Sequence, residues 1–328
     1  MKSRISILVP VRNGLPFIKE CIDSAYAQTF SNWEMVISDN GSTDGTLNFL
    51  DTLNDSRIRV FKQNDNLGIM GNLNFLFSQA ATPLAHILCA DDYFTDENSL
   101  DTIVNYWENA PLEVGLVIFN NFSTSPKKIN NPENGVPAII DPAQADLWFF
   151  TCGCLSNNLS SVSMRTPLVE TVGMFNENLP SVGDFEFWTR AARKVSIGLQ
   201  KRQIVDVRRH ERSASNTQNL NAENFVQEIT IYEKLVEELS ATYSREKLVD
   251  YFNYEFGSFH YRKAIKFALA GNFGYIRQIL NTKSSILWPK WRQLLVCFPI
   301  ALLNLRERFT VPKSEKIINE QLSLYNEI

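Results

Sequence analysis

The chain has 328 residues, of which 44% are hydrophobic, and a formal net charge of −4. That length and apolar content suffice for a large core domain plus an appendage, while the slight acidic excess speaks against a nucleic-acid binder, which carries a basic surplus. Five scattered cysteines make no disulfide framework, the Cys152/Cys154 pair lacks the further ligands of a zinc site, and no stretch reaches the roughly eighteen uninterrupted apolar residues of a spanning helix.

In chain order, the opening ISILVPV is broken by Pro10 and Arg12 and is too short for the apolar core of a signal peptide, so it reads as a strand in a reduced, cytoplasmic protein. FIKECIDSAYAQTF places apolar residues at helical spacing, WEMVISD is a second strand, and TDGTLNFLDTL is a helix opening on Thr43 or Asp44 as its cap. RIRVFKQ, MGNLNFLFSQA and LAHILCA continue as strand, helix and strand. This alternation predicts an α/β fold, a mostly parallel sheet with helices on both faces. In such sheets ligands bind beyond the carboxyl ends of the strands, which directs attention to PVRNG, SDNGSTDG, QNDNLG and ADDYF.

After about Glu113 the pattern loosens. VGLVIF is a strand, STSPKKINNPENGVPA a Pro/Asn/Lys-rich loop, and DFEFWTRAARK a helix with Phe185, Trp188 and Ala192 on one side. Long helices begin near Asn221. The tail ILWPKWRQLLVCFPIALLNLRERF has two readings. It is a packed helix pair, or an interfacial segment with Trp288 and Trp291 at headgroup level and Lys290 and Arg292 towards anionic lipid.

Two stretches carry candidate chemistry. Asp39 ends a strand and precedes the polar turn Asn40-Gly41-Ser42-Thr43. That arrangement makes an ordinary strand-to-helix turn, and it also holds a carboxylate where it can accept a hydrogen bond from a base or sugar. The first strand is followed by PVRNGLPF with no Gly-x-Gly-x-x-Gly, which argues against a hydride-transfer enzyme. The second stretch is CADDYF, where an apolar strand runs into Asp91 and Asp92. Adjacent carboxylates repel, so the pair either faces water in a surface loop or seats a hard cation such as Mg2+ or Mn2+ beside a diphosphate.

Together these stretches resemble the family 2 inverting glycosyltransferases of the GT-A fold, over roughly Ser3 to Ser215. SILVPVRN is similar to the family's opening strand, and SDNGSTDGT to its D-D-G-S-T-D-x-T, with Asn40 for the second Asp. NLGIMGNLN matches N-x-G-x-x-x-N-x-N, and CADDYF the D-x-D region with Cys89 in place of a leading acid. GDFEFWTRAAR looks like E-D-x-D-L-W-x-R with Gly183 for Glu, and RRHERSAS resembles R-x-H-x-x-S-x-S.

The resemblance implies a Rossmann-like GT-A domain over 1–215, with a nucleotide-sugar half (1–112) and an acceptor half (113–215), and a C-terminal helical region over 216–328. Asp39 would read the base through the uracil imide. Pro10, Val11, Arg12 and Asn13 would line the nucleotide pocket, joined by Gly41, Ser42, Asn66, Gly68 and Asn72. Asp91 would touch the ribose or the metal, Asp92 would be the metal ligand, and His210 would complete the coordination or meet the diphosphate. Asp184 would be the general base, or simply the cap of its helix with Glu186 facing solvent. Arg190 would pair with an acid, and Arg208 and Arg209 would reach phosphate or lie at the surface.

The implied activity is transfer of a sugar, UDP-linked, to a glycan or lipid-linked acceptor in bacterial surface-polysaccharide synthesis, with Mn2+ or Mg2+. The implied location is the cytoplasm, at the inner face of the membrane. Expected partners are the donor, the acceptor, a membrane surface and a second copy of the chain, but no nucleic acid. A sugar nucleotidyltransferase is the alternative, although it should carry a Gly-rich basic loop after the first strand. A non-catalytic nucleotide-sugar binder is the other, on the strength of Asn40, Cys89 and Gly183.

Overall fold

The computed structural model describes residues 5–119, 137–156, 158–210 and 222–302. The Pro/Asn/Lys-rich loop expected over 123–138 falls largely outside them. The chain divides into two compact units, one of residues 1–145 and 154–209 and one of 146–153 and 210–328.

The first unit begins with β1 (Ile5–Val11), α1 (Phe17–Tyr26), β2 (Trp33–Asp39), α2 (Thr46–Leu50), β3 (Ile58–Lys62), α3 (Gly68–Gln79) and β4 (Leu84–Ile87). It continues through β5 (Tyr93–Phe94), α4 (Ser99–Asn109), β6 (Val114–Ile118), β7 (Ile139–Ile140) and α5 (Pro142–Cys152), whose C-terminal part groups with the second unit. A 3-10 turn (Leu159–Ser161), β8 (Val162–Arg165), α6 (Leu168–Val172), α7 (Gly183–Ala192), β9 (Ser196–Leu199) and β10 (Val205–Asp206) complete it.

Eight strands form one sheet in the order β3-β2-β1-β4-β8-β6-β9-β7, and β10 pairs with β5 in a small second sheet. The pairs β1/β2, β2/β3, β1/β4 and β6/β9 are parallel, while β8 runs antiparallel to both β4 and β6. The expected mostly parallel sheet is therefore present, with β8 reversed at its centre and the edge strand β7 antiparallel to β9.

Strand period explains the layering. Ile5, Ile7 and Val9 join Ile18 and Ile22 of α1 and Ile103 and Trp107 of α4 in one apolar core. Leu8 and Val36 point to the opposite face and are equally buried, and α3 packs there against β1 and β2. A strand covered on both sides must be apolar at every position, which is why ISILVPV reads as a continuous run. The expected cap of α2 is corrected. Gly45 is the cap residue at φ 90°, a left-handed conformation that Thr or Asp adopts poorly, and Asp44 instead accepts from the Thr46 amide at 3.0 Å.

In the second unit, α8 (Glu223–Leu239), α9 (Arg245–Phe252), a π-helical turn (Asn253–Gly257), α10 (Ser258–Leu269), α11 (Gly274–Asn281) and α12 (Lys290–Leu302) follow one another. Tyr232, Phe252, Tyr261 and Tyr275 are fully buried there. Of the two readings of the tail, the packed one holds for Trp288 and the interfacial one does not. Trp288 is 4% exposed, its indole N–H donates to Asp250 at 2.7 Å, and the Arg292 guanidinium stacks on its ring 3.9 Å from the centroid. The Lys290 ammonium is spent on the carbonyls of Ile279 and Thr282, at 2.9 Å each. Trp291 alone of that foursome is open to solvent, at 65%. Among the described residues no helix is long and apolar enough to cross a membrane.

Candidate active site

Parallel register brings the candidate loops to one edge. Val11 lies opposite Asp39 and Leu8 opposite Ile87, so the segments following β1, β2 and β4 emerge together. The first two are stitched to each other. The Asn13 amide donates to the Ser42 hydroxyl at 2.7 Å, the Thr43 amide to Asn13 Oδ1 at 2.8 Å, and the Gly14 amide to Thr46 Oγ1 at 2.8 Å. Gly41 takes φ 74° in the turn between them. Arg12 and Asn13 are exposed, and Pro10, Gly41 and Ser42 are half-buried beside them.

Asp39 lies beneath this turn, 1% exposed. Its Oδ2 accepts from the Ser42 amide at 3.1 Å, whereas its Oδ1 is buried and accepts from no donor among the described residues. An unmatched buried acceptor costs about 1–3 kcal/mol, so this oxygen is held ready for a donor. Asn72 of α3 repeats the pattern: its amide donates to the Ser38 carbonyl at 3.1 Å and its Oδ1 is buried without a partner.

Asn40 explains its own departure from the family's Asp. Its Nδ2 donates to Asn66 Oδ1 at 2.9 Å and to the Gly68 carbonyl at 3.1 Å, and its Oδ1 accepts from the Leu67 amide at 2.8 Å. A carboxylate has no proton for the first two bonds. Asn66 and Gly68 are thus engaged in holding the loop that leads into α3.

The acid pair follows β4. Asp92 is 4% exposed, and its carboxylate accepts from the Ser160 hydroxyl at 2.5 Å and the Arg208 amide at 3.0 Å. Ser160 in turn accepts from the Cys89 amide at 2.9 Å. Burial raises the Asp92 pKa to about 6; the neighbouring Asp91 charge also raises it, while the Ser160 and Arg208 bonds pull it back. The protein alone therefore leaves this charge under-compensated. Cys89 offers its thiol to the same cluster, the ligand atoms of Cys89, Asp91 and Asp92 lying within 4.8 Å of one another. Its own burial, then Asp92 and Asp91, keep that thiol protonated well above the ordinary range. Two adjacent carboxylates with a thiol close by, one carboxylate buried and raised in pKa, fit a hard divalent cation.

Arg208 is locked rather than free. It pairs with Glu20, and its guanidinium lies over the rings of Phe17 (5.1 Å) and Tyr93 (4.7 Å). Arg209 is exposed. His210, assigned to metal on resemblance, opens the second unit.

Asp184 is half-exposed in the first turn of α7, where its Oδ1 accepts from the Phe185 amide at 2.8 Å. It is not the cap: Val182 occupies that position. Nor does Glu186 face solvent unpaired, since Arg190 grips it with two bonds of 2.7 and 3.0 Å, the acid partner expected for Arg190. Gly183 also has a physical account. A Cβ there would meet Met70 Cγ at 2.7 Å and Sδ at 2.8 Å, so the start of α7 is pressed against α3 and a Glu has no room.

Sequence reasoning missed Ser160, Asn74 and the Arg208 amide. Nothing in the sequence around Ser160 points to an acid 68 positions earlier. Asn74, by contrast, sits in the N-x-G-x-x-x-N-x-N stretch. It donates to the Phe175 carbonyl and to Glu177 and accepts from the Phe175 amide, anchoring the segment that leads to α7.

The sheet order, the acid pair after β4 and the carboxylate after β2 define a GT-A-type fold. Residues 6–162, just under half of the chain, match the family model described as glycosyl transferase family 2. An uncharacterized glycosyltransferase of Rickettsia conorii is 26% identical over 307 residues, 88% of this chain and 48% of that protein. The Escherichia coli UDP-Glc:alpha-D-GlcNAc-diphosphoundecaprenol beta-1,3-glucosyltransferase WfaP is 30% identical over 134 residues, 38% of this chain and 53% of WfaP. The chain thus spans about half the length of these relatives. Among solved structures, residues 1–349 of Staphylococcus aureus TarS in complex with UDP-GlcNAc superpose with a TM-score of 0.61 at 16% identity, covering 98% of this chain and 92% of that one.

Proposed function

We propose that the first unit is a metal-dependent, inverting glycosyltransferase that moves a sugar from a UDP-linked donor to a hydroxyl of a glycan or lipid-linked acceptor. The observation that carries this reading is the convergence at one sheet edge of the buried Asp39, one of whose oxygens lacks a donor among the described residues, with the adjacent carboxylates Asp91 and Asp92, the second of them buried with its pKa raised to about 6. A pyrimidine imide N–H supplies the donor that Asp39 lacks, and the diphosphate with its cation belongs over the acid pair. The UDP-GlcNAc bound to TarS and the UDP-glucose and lipid-diphosphate substrates named for WfaP support the choice of donor and acceptor class.

In this reading Asp92 and Asp91 hold a divalent ion. The ion, when bound, supplies positive charge to the departing diphosphate. Backbone groups of Pro10, Val11, Arg12 and Asn13, with Gly41 and Ser42, frame the nucleotide. Asn66, Gly68 and Asn72 act by holding that frame, and Asn72 Oδ1 offers one more acceptor to the ligand. Asp184 takes the proton from the acceptor hydroxyl as its oxygen bonds to the anomeric carbon and the bond from that carbon to the diphosphate oxygen breaks. Attack from the opposite face inverts the anomeric centre.

The test is nucleoside diphosphate release from a panel of nucleotide sugars, with and without Mn2+. We expect release from a UDP-sugar with Mn2+ and a drop of at least about a hundredfold in Asp184→Asn, the range of one general base. Unchanged turnover in Asp184→Asn removes the base assignment. Failure of every donor in the presence of metal and acceptor overturns the reading.

A further inference from the structure

The surface of the second unit carries an unusual combination of side chains. From Phe256 to Leu302 the sequence has seven Lys and Arg and no acidic residue, although the whole chain is net negative at −4. Three consecutive helices each expose a stripe in which apolar residues stand beside, or follow, basic ones. On α10, Phe259, Arg262, Lys266 and Leu269 are all exposed at spacings of three and four, and so share one face. Phe273, the cap residue of α11, shares a face with the exposed Arg277 and Leu280. On α12, Trp291, Leu294 and Leu295 are open, and the buried Gln293 and Cys297 mark the opposite side.

These groups are not spent elsewhere. Arg262, Lys266, Arg277 and the exposed Lys283 make no ion pair among the described residues, whereas Arg292 pairs with Asp250 and Lys290 bonds two carbonyls. Leu269 at 84% and Trp291 at 65% pay an exposure cost that folding did not remove. A purely solvated helix face would be polar, and a protein partner of ordinary composition would not call for several unpaired cations and no acid in one helical segment. Uncompensated cations interleaved with Leu, Phe and Trp match the chemistry of an anionic bilayer, whose headgroups attract the former and whose acyl boundary takes the latter.

We infer that the exposed basic and apolar stripes of α10, α11 and α12 dock the protein on a membrane of anionic phospholipid. Trp291, Leu269 and Phe273 are its apolar anchors, and Arg262, Lys266 and Arg277 its headgroup contacts. Trp288, Lys290 and Arg292 hold the scaffold from behind. The inference is independent of the transfer reaction, because it rests on the second unit alone.

The experiment is flotation of the full chain with vesicles of phosphatidylcholine alone or with added phosphatidylglycerol. The wild type should float with the phosphatidylglycerol vesicles and stay behind with the neutral ones. An Arg262→Glu/Lys266→Glu/Arg277→Glu variant should lose roughly a hundredfold or more in partitioning, on the scale of about one kcal/mol per basic group at the surface. Trp291→Ser/Leu295→Ser should also weaken binding, and circular dichroism should match the wild type in both variants since every altered side chain is exposed. Absence of flotation with either vesicle overturns the inference. So does flotation that the charge reversals leave intact. A concentration-dependent dimer abolished by Trp291→Ser/Leu295→Ser, without vesicle binding, assigns the surface to a second copy and overturns it as well.

Discussion

Asp92 shows how a single residue's energetics carry functional content. Its carboxylate is buried, shares its surroundings with Asp91 and has a pKa raised to about 6. A folded-state value above the unfolded one means that the fold prefers the protonated form. The resulting stability is fully present below about pH 4 and is lost as pH rises through about 6. In chelator-treated protein, Asp92→Asn should therefore melt higher than the wild type at pH 7.5, by about 2–3 kcal/mol before losses at its two hydrogen bonds, with the gain vanishing near pH 4. Added Mn2+ should raise the wild-type melting temperature at pH 7.5 and lose that effect towards pH 5, where the carboxylate takes up its proton. Differential scanning calorimetry with and without metal reads both effects. Equal metal stabilisation of wild type and Asp92→Asn would argue against Asp92 as a ligand.

At the scale of elements, α3 links the two halves of the site. Asn72 ties it to the Ser38 carbonyl beside Asp39, Asn74 ties it to Phe175, and Met70 packs on Gly183 next to Asp184. Forcing a methyl group into that last contact should cost about 1–3 kcal/mol in Gly183→Ala, because the blocking atoms lie in the middle of the Met70 side chain. The double variant Gly183→Ala/Met70→Ala should recover part of that loss in urea denaturation; an additive loss would show that the contact is not the cause. Much of this element was legible in advance. The N-x-G-x-x-x-N-x-N stretch marked it, and its helical period was plain. What each Asn does was not legible, since their partners Ser38 and Phe175 lie 34 and 101 positions away. The same holds for Ser160 with Asp92. Trp288 was left open for another reason: Trp, Lys and Arg beside apolar residues compose an interfacial segment and an aromatic-cation core contact equally well, and only burial separates the two.

For the whole molecule, the strand alternation of the first hundred residues sufficed to place Asp39 and the acid pair at one edge, because parallel strands with helical crossovers must end on the same side. The reversed β8 was not foreseeable from its short sequence VSMR, yet it is what delivers Ser160 to Asp92. The central claim is that this edge is a nucleotide-sugar site whose base is read by Asp39. Titration calorimetry of UDP into the full chain with Mn2+ tests it most directly, comparing wild type with Asp39→Ala. We expect saturable binding to the wild type and a loss of about ten- to a hundredfold in Asp39→Ala, the worth of one hydrogen bond to a charged acceptor. Equal affinity for the two proteins, or no binding of UDP to the wild type, would contradict the account.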